Sequence, residues 1–152
     1  ILLGDGAGNL AVGSTPAVGT TPVGIVTGDF DRDGDLDLAT VNSGSSDATV
    51  LLGDGLGAFA SGSSPGTGAT PAGIAVLDVN RDGALDLVVS DSGAGTVSVL
   101  PGFGTGAFGA AVPSAIGSGP GAVITGDFNG DGLTDVAVSN FLDNTLSILL
   151  AR

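Results

Sequence analysis

The sequence predicts an all-β fold, a β-propeller-like array of three four-stranded blades, and three observations predict it. The motifs DFDRDGDLD, DVNRDGALD and DFNGDGLTD begin at Asp29, Asp78 and Asp127, in equal steps of 49 residues. A second set keeps the same step: ILLGDGAGNL at Ile1, VLLGDGLGAF at Val50, VLPGFGTGAF at Val99 and ILLAR at Ile148. Between these marks, short Val-, Ile- and Leu-rich runs are separated by Gly and Pro, and no window has a helical period with plausible caps. Four short strands in each ~50-residue repeat is the pattern of a propeller blade. A parallel β-helix is the alternative repeat architecture, but its coils are shorter and its strands more evenly spaced.

Within the middle copy the first strand is expected over residues 74–77, an apolar run that ends at an acidic loop. The second follows that loop over 85–90. The third, over 96–100, alternates, with Val97 and Val99 on one face and Ser98 on the other. A weaker fourth is expected over 107–112. β-Branched residues fill the runs, and Gly and Pro punctuate the gaps. The whole of residues 1–152 reads as a single repeat array. It opens on Ile1 without a leader-like segment, which fits a segment or subunit of a larger assembly.

Composition narrows the partners. All 16 acidic residues are aspartate, the only bases are Arg32, Arg81 and Arg152, and the formal charge is −13. Such acidity argues against nucleic acid, whose phosphates need Lys or Arg, and against anionic lipid surfaces. No apolar run approaches the ~18 residues of a membrane span, so no membrane insertion is expected. Yet 42% of residues are hydrophobic, too many for a solvated acidic tail. The absence of cysteine excludes disulfide staples.

The remaining question is why so many carboxylates crowd into loops 29–37, 78–86 and 127–135. In the first loop, Asp29, Asp31, Asp33 and Asp37 occupy positions 1, 3, 5 and 9. The second places Asp78, Asn80, Asp82 and Asp86 there, and the third Asp127, Asn129, Asp131 and Asp135. Position 6 is always glycine, where a tight turn favours positive φ. Position 7 varies (Asp35, Ala84, Leu133), as expected of a residue that offers only its backbone carbonyl. Alternate side chains turned inward would surround one point with oxygens. That suits Ca²⁺, which takes 6–8 oxygen ligands in flexible geometry, better than Mg²⁺. Zinc, which prefers nitrogen and sulfur, finds neither His nor Cys here. About three Ca²⁺ per chain are expected.

The loop begins like an EF-hand, but its closing acid falls at position 9 and its flanks are strands. With GDFNGDGLTDVAVSN from Gly126, TLSILL and VLLGDGLGAF in matching places, the chain resembles the FG-GAP repeat, also called the VCBS-type repeat, over essentially its whole length. Integrin α-subunit propellers, many bacterial surface proteins and some lectin propellers are similar in these loops. The resemblance implies that each loop joins the first two strands of a blade. It also implies structural Ca²⁺, an extracellular or cell-surface setting, and a role in adhesion or assembly. The chain departs in carrying three repeats where propellers usually have about 4–8 blades.

Other signals carry less chemistry. GDGAGN and GDGLGAF look like phosphate loops, but no helix follows and no cation is near, so they read as hairpin turns. No His or Lys is present to activate a nucleophile. A paired-carboxylate glycosidase is the enzyme class that the residue types permit, yet nothing pairs any two of Asp5, Asp47, Asp54, Asp91 and Asp143. Phe30 and Phe128 share a phase, as do Phe59 and Phe108, and read as anchors between blades. The expected function is a calcium-stabilised structural or adhesive repeat module, not an enzyme, and a building block for a surface filament. Its expected partners are copies of itself or neighbouring repeats, with a glycan or protein ligand as a further partner. A lectin-like sugar- or protein-binding propeller and a glycan-cleaving domain are the two alternatives.

Overall fold

A computed structural model describes residues 1–152 as thirteen antiparallel strands without a helix. No helix is therefore long and apolar enough to cross a membrane. Strands β1 (Leu2–Gly4) and β2 (Leu10–Val12) form an N-terminal hairpin. The first sheet is β3 (Pro22–Gly28), β4 (Asp37–Asn42), β5 (Asp47–Gly53) and β6 (Phe59–Ser61), paired in that order. The second repeats it with β7 (Pro71–Leu77), β8 (Asp86–Asp91), β9 (Thr96–Leu100) and β10 (Val112–Ala115). The third has three strands, β11 (Pro120–Gly126), β12 (Asp135–Asn140) and β13 (Thr145–Leu149). In place of three four-stranded units, the structure thus has two of four strands, one of three and a two-stranded hairpin.

The 49-residue step holds for the first three strands of each sheet. Each sheet opens with proline, which donates nothing to the ladder and is suited to a strand's first residue. A register shift follows at once, between Pro22 and Gly24, Pro71 and Gly73, and Pro120 and Val123. The second strands β4, β8 and β12 are almost wholly buried. They lie between two strands of their own sheets, and β8 is also packed by a neighbouring sheet on each face, so it reads as a near-continuous apolar run. The same double covering corrects the simple alternation expected in β9. Ser98 does face away from Val97, but it is buried too, and its hydroxyl donates to Asp91 Oδ2 at 2.6 Å.

The fourth strand of the second sheet is displaced from the expected 107–112. In the first sheet Leu52 pairs with Ala60, whereas Pro101 stands at the place of Leu52 and has no N–H to give. Pairing shrinks to a bridge between Gly102 and Phe108 and resumes only at β10, where Val112 meets Val99.

Two apolar cores lie between successive sheets. Ala39, Val41, Ala48 and Val50 of the first sheet pack on Leu87, Val89 and Leu100 of the second. Val88 and Val97 on the second sheet's other face pack with Val123, Val136 and Val138 of the third. The two cores use the same repeat positions. At the loop edge of the first core, Phe30 of one sheet meets Phe108 of the next edge-to-face, with ring centroids 5.6 Å apart and planes at 71°. Such a pair adds about 0.5–1.5 kcal/mol beyond its buried area.

Candidate metal centre

Each acidic loop connects the first and second strands of its sheet, and its turn is built from its own carboxylates. Position 1 accepts two backbone N–H groups. Asp29 takes those of Asp33 and Gly34, both at 3.1 Å, and Asp78 those of Asp82 at 3.2 Å and Gly83 at 2.9 Å. Asp127 takes Gly130 at 2.7 Å and Gly132 at 2.9 Å. Position 5 accepts the N–H of position 7 in every copy: Asp33 from Asp35, Asp82 from Ala84 and Asp131 from Leu133, at 2.7–2.8 Å. Position 6 has φ of 95°, 84° and 82° at Gly34, Gly83 and Gly132. An added Cβ would meet nothing at Gly34 or Gly132, so glycine serves backbone conformation there, not close approach.

Position 9 opens the second strand and is buried in all three copies. One oxygen of Asp37, Asp86 and Asp135 accepts the N–H of position 2, from Phe30, Val79 and Phe128, at 2.7–2.9 Å. The other accepts an N–H sixteen residues on, from Gly53, Gly102 and Ala151, at 2.7–2.8 Å. A single carboxylate therefore ties the loop to the far end of the third strand. The sequence identified this residue as a ligand but gave no sign of that second role, because the partner N–H is set by tertiary register.

The first loop gathers Asp29, Asp31 and Asp37, whose nearest carboxylate oxygens all lie within 4.8 Å of one another, an arrangement that could hold a metal ion. Asp33 and Asp35 stand outside that group. Asp33 is occupied with the Asp35 N–H, and the Asp35 carboxylate lies over Gly55 in the β5–β6 turn, where a Cβ would strike it. Desolvation raises the Asp31 carboxyl above its ordinary range, and the charges of Asp33, Asp37 and Asp29 push the same way. In the second and third loops, asparagine at position 3 replaces one charge. Asn80 and Asn129 donate from Nδ2 to Asp82 and Asp131 at 2.9 Å. Asp82 is held below the ordinary carboxylate range, first by the Ala84 N–H, then by Asn80, with the Arg32 charge assisting. The Gly132 and Gly130 N–H groups lower Asp127 in the same way.

Position 4 escaped the sequence reading. Arg32 and Arg81 adopt φ of 65° and 60°, a left-handed conformation costly for a long side chain, and Gly130 stands there in the third copy with φ of 79°. The alternation of Arg with Gly was the available signal. Arg32 uses the conformation to cross between sheets, where its guanidinium donates to the Asp82 carbonyl at 3.3 Å.

The remaining aspartates serve turns and strand ends. Asp5 and Asp54 each accept two backbone N–H groups within their own hairpin turn, as expected for GDGAGN and GDGLGAF, and Asp5 also accepts from Asn9 Nδ2. Asp47 accepts from Asn42 and Ser45, and Asp143 from the Ser118 N–H. Asp91 takes the Gly68 N–H and the Thr96 and Ser98 hydroxyls.

A family model described as FG-GAP-like repeat matches residues 29–89 and again residues 78–138, two spans offset by the same 49 residues. No curated protein matches the chain.

Proposed function

The chain belongs to the FG-GAP-like repeat family, and from that premise we propose that it is a calcium-stabilised extracellular structural or adhesive module whose sheets stack as propeller blades. The observation that carries the reading is the convergence of Asp29, Asp31 and Asp37 in a loop whose scaffold recurs twice more. The donor set is oxygen only and already crowded with negative charge, which fits a hard divalent cation. Asp29, Asp31, Asp33 and Asp37, with the carbonyl of Asp35, would hold one ion. Asp78, Asn80, Asp82, Asp86 and the Ala84 carbonyl would hold the second, and Asp127, Asn129, Asp131, Asp135 and the Leu133 carbonyl the third. Bound calcium would supply countercharge, and three ions would bring the formal −13 to −7.

The protein's own part is to fix the turn. Position 9 clamps three strands together, and position 1 closes the loop around its own backbone. Thermal melts with calcium and with excess EGTA test the reading. Binding to the folded state alone at about ten times Kd adds about 1.4 kcal/mol per site, or roughly 4 kcal/mol for three. Chelation should lower the melting temperature by many degrees and magnesium should restore little; an unchanged melt in EGTA would overturn the proposal.

A further inference from the structure

Asparagine stands at position 3 of two loops, as Asn80 and Asn129, and the two side chains are held alike. Each Oδ1 accepts the backbone N–H of position 5, from Asp82 and Asp131, at 2.9 Å. Each Nδ2 donates to the carboxylate of the same aspartate at 2.9 Å. The residue that follows differs. Arg81 comes after Asn80, whereas Gly130 comes after Asn129, the only Asn-Gly step in the chain. The Gly130 N–H donates to Asp127 Oδ1 at 2.7 Å. In the second loop Asp78 accepts from Asp82 and Gly83 and takes nothing from Arg81. Gly130 has φ of 79°, and a Cβ built there would meet nothing within 4 Å. Asn129, Gly130 and Asp131 are all exposed.

Together these contacts surround one reaction. The side-chain amide of an asparagine is open to attack by the backbone nitrogen of the next residue. Glycine hinders that attack least, because it puts no side chain beside the nitrogen. Asp127 lies on the proton that this nitrogen must lose. The Asp131 N–H lies on the oxygen that becomes negative as the nitrogen adds, the place of an oxyanion donor. The Asp131 carboxylate holds the nitrogen that departs. Nucleophile, base and oxyanion donor are thus joined by hydrogen bonds in a solvent-exposed loop. The second loop has the same oxyanion donor and lacks the base on its nucleophile.

We propose that Asn129 is a site of self-catalysed deamidation, with Asp127 as the base. The Gly130 nitrogen bonds to Asn129 Cγ and gives its proton to Asp127. The Cγ–Nδ2 bond breaks, and Nδ2 leaves as ammonia with that proton. Water then opens the imide ring that remains and restores the Gly130 N–H. Water that adds at Cγ leaves aspartate at position 129, and water that adds at the main-chain carbonyl leaves a β-linked aspartate. Water is the only co-reactant, and nothing is oxidised or reduced. The aspartate product gives the third loop the position-3 carboxylate that Asp31 supplies in the first. On the calcium reading above, on which this consequence alone rests, the modified loop binds its ion more tightly. The β-linked product adds one carbon to the main chain between positions 3 and 4 and spoils the turn.

The test is peptide mass mapping of the full chain, kept at neutral pH below its melting temperature with EGTA present. Asn129 should gain the mass that separates a hydroxyl from an amino group, while Asn80 stays an amide. Asp127→Asn keeps an acceptor for the Gly130 N–H but removes the base. It should slow the change about tenfold, less than the roughly hundredfold of a base better matched to its proton. Gly130→Arg copies position 4 of the other two loops and should leave Asn129 as intact as Asn80. An Asn129 that changes no faster than Asn80 would overturn the proposal. So would an Asp127→Asn chain that changes at the wild-type rate, because the Asn-Gly step alone would then account for the reaction. The mapping involves no calcium, so its failure defeats the deamidation alone, and an unchanged melt in EGTA defeats the calcium reading alone.

Discussion

The loops at 29–37 and 127–135 share nearly every local hydrogen bond and differ in what lies over them. In both, position 1 accepts two backbone N–H groups and position 9 joins the loop to the end of the third strand. Yet Phe30 is buried against Phe108, while Phe128 is 46% exposed. Arg32 reaches across to the next loop, and its counterpart is Gly130. The loop's shape is therefore written locally, in about nine residues. What covers it is supplied by the next sheet.

The sharpest way to break this comparison is to remove the aromatic ring from each loop. Phe30→Ala should cost about 3–5 kcal/mol, as for other fully buried phenylalanines, whereas Phe128→Ala should cost well under half of that. Denaturant unfolding of the two variants measures it, and equal losses would show that the neighbouring sheet adds nothing.

Next in size is the difference in charge at position 3. With Asp31 the first loop should bind calcium most tightly, because ligand charge raises affinity in a shared geometry. Asp31→Asn should bring it to the level of the other two, a loss of order tenfold, or about 1.4 kcal/mol. Calorimetric titration that already finds three equal affinities in the wild type would refute this.

A third expectation concerns the end of the second strand, where Asn42 and Asn140 flank Asp91 in register. Burial pushes the Asp91 carboxyl above its ordinary range, against the pull of Ser98, Gly68 and Thr96. A raised acid favours the protonated folded state. Its penalty is absent below the ordinary value of 3.8, appears as pH rises through the window up to the raised value, and persists above it. Asp91→Asn should therefore stabilise the chain at neutral pH and flatten that part of the pH profile. Melting curves from pH 3 to 7 check it (the range brackets the ordinary carboxylate values, about 3.9–4.3).

The smallest effect is expected at position 4. Arg32→Gly relieves a left-handed conformation worth roughly 1–2 kcal/mol but gives up the bond to the Asp82 carbonyl, worth about 1 kcal/mol, so the net change should be below about 1 kcal/mol. Arg81→Gly, with no such bond to lose, should be the more stabilising of the two. The reverse order in thermal melts would mean that Arg32 contributes nothing across the sheets.

Much of this was legible beforehand because the repeat is its own control. Three copies in register made Gly34, Gly83 and Gly132 readable as turn residues. The first three strands of each unit could be read from their β-branched runs. What escaped depended on neighbours distant in sequence. Pro101 looked like one more punctuation mark, yet it moves the fourth strand to Val112 by withholding one donor. Arg32 entered only as one of three bases, yet its backbone strain is matched by a contact 50 residues away. Asp37, Asp86 and Asp135 looked like ligands, and their second partner sixteen residues on becomes visible only once the third strand is in place.

The strand order also has a mechanical consequence. The first and second sheets are entered at their first strand and left from their fourth, so tension applied along the chain reaches each at opposite edges. The leaving strand β6 is held by three register pairs, Leu51 with Ser61, Leu52 with Ala60 and Gly53 with Phe59, and the residues after it by single backbone bonds of Gly62 and Ser63 to Val50 and of Pro65 to Ala48. Pulled outward across its ladder, it peels one pair at a time, as a zipper does, and does not resist all at once in shear. β4, gripped on both sides and fastened at its start by the Asp37 carboxylate, is the last to yield. Under load the array gives way from the rim of each sheet inward, and the rim is where it is softest.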